Sequence, residues 1–402
     1  MSGWRVTQLT FGSDAGRFHA HSYYDIPVMN PEGSMLVGFE TRFTGRHPEP
    51  GDAVGIGIVE TDRPGSWREI GTSTAWSWQQ GPMAQFVPGA REIAWNERGA
   101  DGFAARLHDI ASGTSRSLSR PLYAIAPDGR SGLSVNMTRL DTLRPGYGYA
   151  ALPEAGAEAV RARLPEDDGV WRVPLDGAAT ELLLPLARAA EFLMSQLPLR
   201  ERLRHRMARY HYWFNHVKIA PGGTRFTVKL RWRRLSGGWN GTQGVSLTCG
   251  MDGRDLRLLA AATSHVLWLD DRRLYFYDER RRDMPIFEDR APRGHRVGQL
   301  GAGVITANVH LRHLPPGPPP PGKLPPRILF DTPYSEEVSL LEMGTEGGAV
   351  PLRIDSFSGH VPARGAFRCD LHPCPDASGQ RIALSSMRDG GRQIYIAVRE
   401  ET

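Results

Sequence analysis

The stretch Phe214-Asn215-His216-Val217-Lys218-Ile219-Ala220-Pro221-Gly222-Gly223, running on into Phe226-Thr227-Val228-Lys229-Leu230, reads as a β-strand, a tight turn and a second strand. β-Branched and aromatic residues favour the extended backbone, and Pro, Gly and Asp punctuate it. The same unit recurs upstream at 24–33 into 35–39, 83–89 with 93–95, and 122–129. Downstream it recurs at 264–271 into 274–277, in degenerate form around 306–313, and at 369–376 into 382–384. A strand–turn–strand unit repeated about seven times cannot bury its apolar faces alone, so it predicts an all-β ring of small sheets: a seven-bladed β-propeller.

The two ends of the chain complete this reading. Gln393-Ile394-Tyr395-Ile396-Ala397-Val398 reads as the third strand of the last blade, and Trp4-Arg5-Val6-Thr7-Gln8-Leu9-Thr10 as its fourth. Pairing them closes the ring through the N-terminal strand and removes an exposed sheet edge. Two segments break the pattern. Residues 154–209 carry an Ala/Leu/Arg-rich stretch at 182–204 that predicts a small helical insertion, and the proline run 315–326 predicts an extended loop. Residues 1–402 are expected to form one propeller domain.

The composition narrows the class. A hydrophobic fraction of 40% with 45 Gly and 31 Pro suits a globular, turn-rich chain. The net charge of +5 comes from scattered Arg without a basic run, which speaks against a nucleic-acid tail and suits a cleft for an anionic substrate. No window approaches the roughly 18 apolar residues of a membrane span, and residues 1–11 lack a signal-peptide pattern, so a cytoplasmic location without membrane contact is expected. Three cysteines, Cys249, Cys369 and Cys374, without a CxxC pair predict buried thiols rather than disulfides or a structural zinc site. A monomer or homodimer is expected.

In a propeller, residues at the start of each inner strand gather at one mouth of the central channel. Those positions hold His19, His21, Tyr23 and Tyr24; Trp76, Trp78, Gln79 and Gln80; Arg144, Tyr147 and Tyr149; and His211, Tyr212, Trp213, Asn215 and His216. Later blades add His265; Asn308, His310, Arg312 and His313; and His360, Arg368, Asp370 and His372. Most of the 13 histidines fall at equivalent positions, which solubility alone does not require. Each taken singly is more often a hydrogen-bonded structural residue. Likewise the aromatics pack blades as readily as they stack on sugar rings.

Carboxylates are few at these positions (Asp25, Asp270, Asp370), which disfavours glycoside hydrolysis by a facing pair. A set rich in His, Tyr and Arg suits β-elimination at a uronic acid. That reaction needs a cation at the substrate carboxylate, a base for the C5 proton and an acid for the leaving O4. His211 or His216 is then the candidate base, Tyr24 or Tyr147 the acid, and Arg231 or Arg368 the carboxylate holder. His21, Trp78, Gln80, Arg144, Tyr149, Trp213 and Asn215 are candidate substrate contacts.

Two patches resemble the oligogalacturonate lyases and the wider group of seven-bladed propeller polysaccharide lyases, including those acting on ulvan and on rhamnose–glucuronate units. Thr263-Ser264-His265-Val266-Leu267-Trp268-Leu269-Asp270-Asp271 is similar to the Thr-His-x-x-Trp-x-x-Asp segment holding a metal-binding histidine in that family, and Arg368-Cys369-Asp370-Leu371-His372-Pro373 resembles an Arg-x-Asp-Leu-His-Pro signature of final blades. The resemblance implies that His265 and His372 are metal ligands, that Arg368 faces the substrate carboxylate, and that a catalytic histidine lies within 211–216. The family's Gln-x-x-His-x-His cluster is absent. His310 completes a candidate set for a divalent ion, manganese or calcium, since imidazole suits a borderline metal. The expected activity is that of a lyase on uronate-containing oligosaccharides; the alternative is a non-catalytic, TolB-like propeller that binds a glycan or a protein.

Overall fold

The computed structural model describes residues 3–238 and 241–400. Its strands form seven four-stranded antiparallel sheets arranged as the blades of a β-propeller. Blades one to six each use four consecutive strands, and blade seven takes three from the end of the chain and its outermost, Trp4–Gln8, from the beginning. That strand pairs with Gln393–Arg399, Trp4 opposite Arg399 and Gln8 opposite Tyr395, as the sequence predicts. Glu342 of blade six ties the closure further, accepting hydrogen bonds from Trp4 Nε1 (3.1 Å), Arg327 (3.0 Å) and Arg399 (2.7 Å).

Blade strands pack on both faces, so they bury consecutive as well as alternate residues. Ile394, Tyr395, Ile396 and Ala397 are all buried, as are Leu36, Val37 and Phe39 in blade one. Gly38 has no room for a side chain: a Cβ there would lie 2.7 Å from both Ala20 O and Ile394 Cδ1 of blade seven.

Three sequence expectations shift. Residues 24–33 are not the inner strand of blade one. That strand is Phe18–Ala20, and the chain then loops inward through Tyr23, Tyr24 and Asp25 before Met29 bridges to Leu36. The segment 154–209 is only partly an insertion, because Gly169–Pro174 and Glu181–Pro185 are the third and outer strands of blade three. Helices flank them: α1 (Met137–Leu143), α2 (Pro153–Ala159), α3 (Leu186–Ser195) and α4 (Leu199–Met207). The fully buried Arg139 of α1 staples this region, donating to the carbonyls of Ala159, Ala162, Arg163 and Tyr212. The proline run joins the first two strands of blade six as a loop, as expected. No helix among the described residues is long and apolar enough to cross a membrane.

Candidate active site

The histidines reach the channel through a backbone device repeated in the blades. Met83, His216, His265 and His372 all have positive φ, between 47° and 57°. Each lies two residues before the ladder pair of its blade led by Gln85, Lys218, Leu267 and Cys374 respectively. In blades four and five the residue forms a bulge within the inner strand. A left-handed residue breaks the alternation of a strand, and for residues other than Gly it is a costly conformation that concentrates at functional positions.

Three of these imidazoles meet the aromatic loop of blade one. Tyr23 stacks 5.6 Å from His216 and lies edge-on to His372 at 4.7 Å, while Tyr24 lies 5.7 Å from His265 and 5.1 Å from His310. The His265 and His310 rings are 4.3 Å apart, and those of His310 and His372 4.9 Å. Asp331 orients His310, accepting from its Nδ1 at 2.9 Å and from its backbone N–H at 2.8 Å. This leaves Nε2 of His310 as the acceptor. It is buried without a hydrogen-bond partner, as is Nε2 of His372. Both face one oxygen, Asp370 Oδ2, at 4.0 and 3.7 Å, too far to hydrogen-bond it. Two orphaned imidazole nitrogens around a carboxylate, the first fixed by an outer Asp, offer donors of the kind a divalent metal ion takes. Their ligand atoms all lie within 4.8 Å of one another, so His310, Asp370 and His372 fit a metal ion, with His265 beside them.

A cavity of about 890 Å³ opens next to this cluster, lined by His216 and His265 and by Tyr23, Tyr147 and Tyr334. Its wall is strongly cationic: Arg144, Lys218, Lys229, Arg231, Arg233 and Arg368 contribute to it, and Glu279 is the one carboxylate lining it among the described residues. Lys218 is paired with Asp25 at 2.9 Å, and Arg368 with Asp370 at 2.8 Å. The scarcity of free carboxylates argues against a glycosidase pair.

His216 sits where the cation wall meets the cluster. Its Nε2 lies 3.4 Å from Arg144 Nη1, and Tyr123 OH receives its backbone N–H (3.0 Å) and contacts its Nδ1 (3.3 Å). A guanidinium can only donate, so Nε2 carries the lone pair and Nδ1 the proton. Burial, reinforced by Arg144, Lys218, Arg231 and Lys229, holds the imidazole well below the ordinary histidine range and therefore neutral at pH 7. Tyr147 carries Arg144 over its ring, 3.5 Å from the centroid, and accepts from Arg368 Nη2 at 3.3 Å. Burial would raise its phenol, but Arg144 and Arg368 outweigh burial and lower it.

Of the predicted positions, His216, Tyr147, Arg144, Arg231, Arg368 and His265 line the cavity, and His310 and His372 form the cluster. Tyr24 lies behind Tyr23, its hydroxyl 3.4 Å from Lys218 Nζ. Gln80 donates to Tyr123 OH and so sits one residue away from His216. The others do not line the cavity. His211 lies at the far end of the blade-four inner strand, held neutral chiefly by burial, with Arg139 adding to it. Trp213 and Tyr149 belong to the buried core, Trp78 packs against Trp76 and donates to Arg46 O, Asn215 is fully buried, and His21 bonds Ser22 O at 2.7 Å. Sequence reading did not single out Lys218, Lys229, Tyr123, Asp331 or Tyr334 as site residues. The alternation Phe226-Thr227-Val228-Lys229-Leu230-Arg231-Trp232-Arg233 carries a signal for the cation wall, since its even members are buried and its odd members line the cavity.

This fold and site are those of a propeller with a polar, cation-rich central pocket, and solved structures share the architecture. The chain is similar to an oligogalacturonate lyase solved in complex with manganese, at 12% identity and a TM-score of 0.59 over 98% of this chain and 93% of that one. It is also similar to oligogalacturonate lyase from Vibrio parahaemolyticus, at 12% identity and a TM-score of 0.57 over the same shares. TolB from Acinetobacter baumannii gives a TM-score of 0.36 at 12% identity over 81% of this chain and 64% of that one. No protein-family model matches the chain, and no curated protein matches it. At 12% identity the likeness to the two lyases shows the seven-bladed fold.

Proposed function

We propose that this chain is a carbon–oxygen lyase that cleaves uronate-containing oligosaccharides by β-elimination. The observation that carries the reading is the neutral His216, its Nε2 lone pair held at a cationic cavity beside the His310–Asp370–His372 cluster. His216 Nε2 takes the C5 proton of the uronate. The C5 electron pair forms the C4=C5 double bond, the C4–O4 bond breaks, and the departing O4 receives the Tyr147 phenolic proton. Tyr147 accepts from Arg368, which leaves its own O–H directed elsewhere, and its lowered pKa eases the transfer. Arg368 faces the substrate carboxylate, where charge builds as C5 loses its proton. His310, Asp370 and His372 would hold a divalent ion, manganese rather than all-oxygen-loving calcium, and such an ion when bound would neutralise that carboxylate and make the C5 proton more acidic.

The test is ultraviolet absorbance of the conjugated product across a panel of uronate oligosaccharides, with and without EDTA pretreatment and manganese add-back. Product formation that falls with EDTA and returns with manganese is expected. Silence across the panel would overturn the lyase reading in favour of a glycan-binding propeller.

A further inference from the structure

Helix α4 turns its apolar residues to solvent. Leu199, Leu203 and Met207 recur every fourth residue, so they share one stripe of the helix, and they are 69, 47 and 78% exposed. The face packed on the protein is polar instead. His205 Nδ1 lies 2.8 Å from Tyr212 OH, its ring packs against Tyr210 and Trp232, and Arg202 donates to Leu197 O. A helix seated on a blade ordinarily buries its apolar stripe, as α3 does with Leu186, Ala189, Ala190 and Leu193. The stripe of α4 therefore does not hold the helix in place.

Positive charge surrounds the stripe. At about 100° per residue, Arg202 and Arg206 flank it on one side and Arg200 and Arg204 on the other. Exposed Arg209 follows the helix. Exposed Arg234 and Leu235 follow Arg233, whose ladder partner His211 opens the inner strand of blade four just beyond α4. The one acidic residue within 199–209 is Glu201, and it lines a second cavity, of about 410 Å³, together with Arg204 and His205. The neighbouring α3 adds one base, Arg188, which donates to Gly253 O, and one acid, the exposed Glu191.

We propose that α4 and the corner at Arg234 and Leu235 form a docking face for an anionic lipid surface, in which Leu199, Leu203 and Met207 enter the acyl-chain boundary and the flanking arginines meet the phosphates. An apolar crest that stands out from the fold needs an occupant that yields around it, and arginine on both flanks needs one that is negative on both sides; an anionic bilayer meets both requirements. A second copy of the chain would set arginine against arginine. The span and leader patterns that predict no membrane contact do not test a helix that lies in the interface. Lys229 and Glu279 line both the second cavity and the first, so a surface held at α4 stands beside the candidate active site.

The experiment is vesicle cosedimentation. The wild-type chain is expected to sediment with vesicles of phosphatidylglycerol and phosphatidylcholine in equal parts, and to stay in solution with phosphatidylcholine alone. The double variant Leu203→Glu, Met207→Glu should weaken binding by about tenfold or more, and so should Arg200→Glu, Arg204→Glu. Arg91→Glu, Arg353→Glu removes the same charge from exposed positions on blades two and six and should leave most of the binding. Circular dichroism checks each fold, and Leu199→Gln, Met207→Gln is the milder apolar variant should the first fail to fold. Absence of binding to the anionic vesicles would overturn the proposal. So would binding that the distant pair weakens as much as the α4 pairs do, which is the general attraction of a basic protein. A dimer by light scattering that Leu203→Glu, Met207→Glu dissolves, without vesicle binding, would give the stripe to a second copy and overturn it too. Turnover enters none of these readings, so the lyase assignment stands or falls separately.

Discussion

The two sides of the central cavity are opposites. On the side of blades five to seven, imidazoles crowd around Asp370 and Asp331, and the acceptor nitrogens of His310 and His372 have no partner in the protein. On the blade-four side, Lys229 and Arg231 project with Glu279 as the one carboxylate lining the cavity among the described residues. One side is rich in imidazole and carboxylate, the other in ammonium and guanidinium groups. His216 stands at the seam, stacked on Tyr23 and touching Arg144.

The seam is the place to break this contrast. His216→Asn keeps a residue that tolerates positive φ and removes the base, so kcat should fall by about 10²–10⁴-fold with little change in fold, measured by product absorbance alongside circular dichroism.

The imidazole-rich side also carries a stability signature. His313 is pushed down to about 4, mainly by burial and further by Arg312, with Gly317 O partly opposing. An unfolded histidine binds its proton at higher pH than this one does when folded. The contribution is therefore complete above about pH 6.5 and is lost as pH falls from there through about 4, by up to about 3 kcal/mol at roughly 1.4 kcal/mol per pH unit. Denaturant unfolding between pH 7 and pH 4 should show that decline, and His313→Gln should lessen it by that amount, the other buried histidines supplying the remainder.

Asp331 tests whether the outer carboxylate sets up the cluster. Asp331→Asn removes the charged acceptor of His310 Nδ1–H, and manganese affinity by calorimetry should weaken by about 10–100-fold. The smallest effect sharpens the electrostatics of the seam. Arg144→Gln removes a cation that helps keep His216 neutral, so the acid limb of the kcat/KM profile should move to higher pH; burial, the larger cause, remains and limits the shift.

Much of this architecture is legible in the sequence. The turn-punctuated strand pairs announced seven blades, and the apolar runs at the two ends of the chain announced their pairing. His265 and His372 were legible because each stands at a strand entry of the repeat and within a patch resembling the propeller lyases. Lys229 was not, although Arg231 on the same face was, because alternating polar residues in a strand look the same whether they face water or a cavity. Asp331 was hidden because it ends the second strand of blade six, whereas the repeat marks channel positions at strand starts. The boundary within 154–209 was blurred because Leu182, Leu183 and Leu184 run into α3 with only Pro185 between them, so strand and helix read as one apolar stretch.

The pairing of Trp4–Gln8 with the last strand works like the clasp of a bracelet. Tyr23 comes from blade one, His216 from blade four, His265 from blade five, His310 from blade six and His372 from blade seven, and none of them holds another in place covalently. Slackening the clasp would let the whole circle relax and draw these groups apart together. A strand far from the cavity thereby sets how tightly its lining is held together.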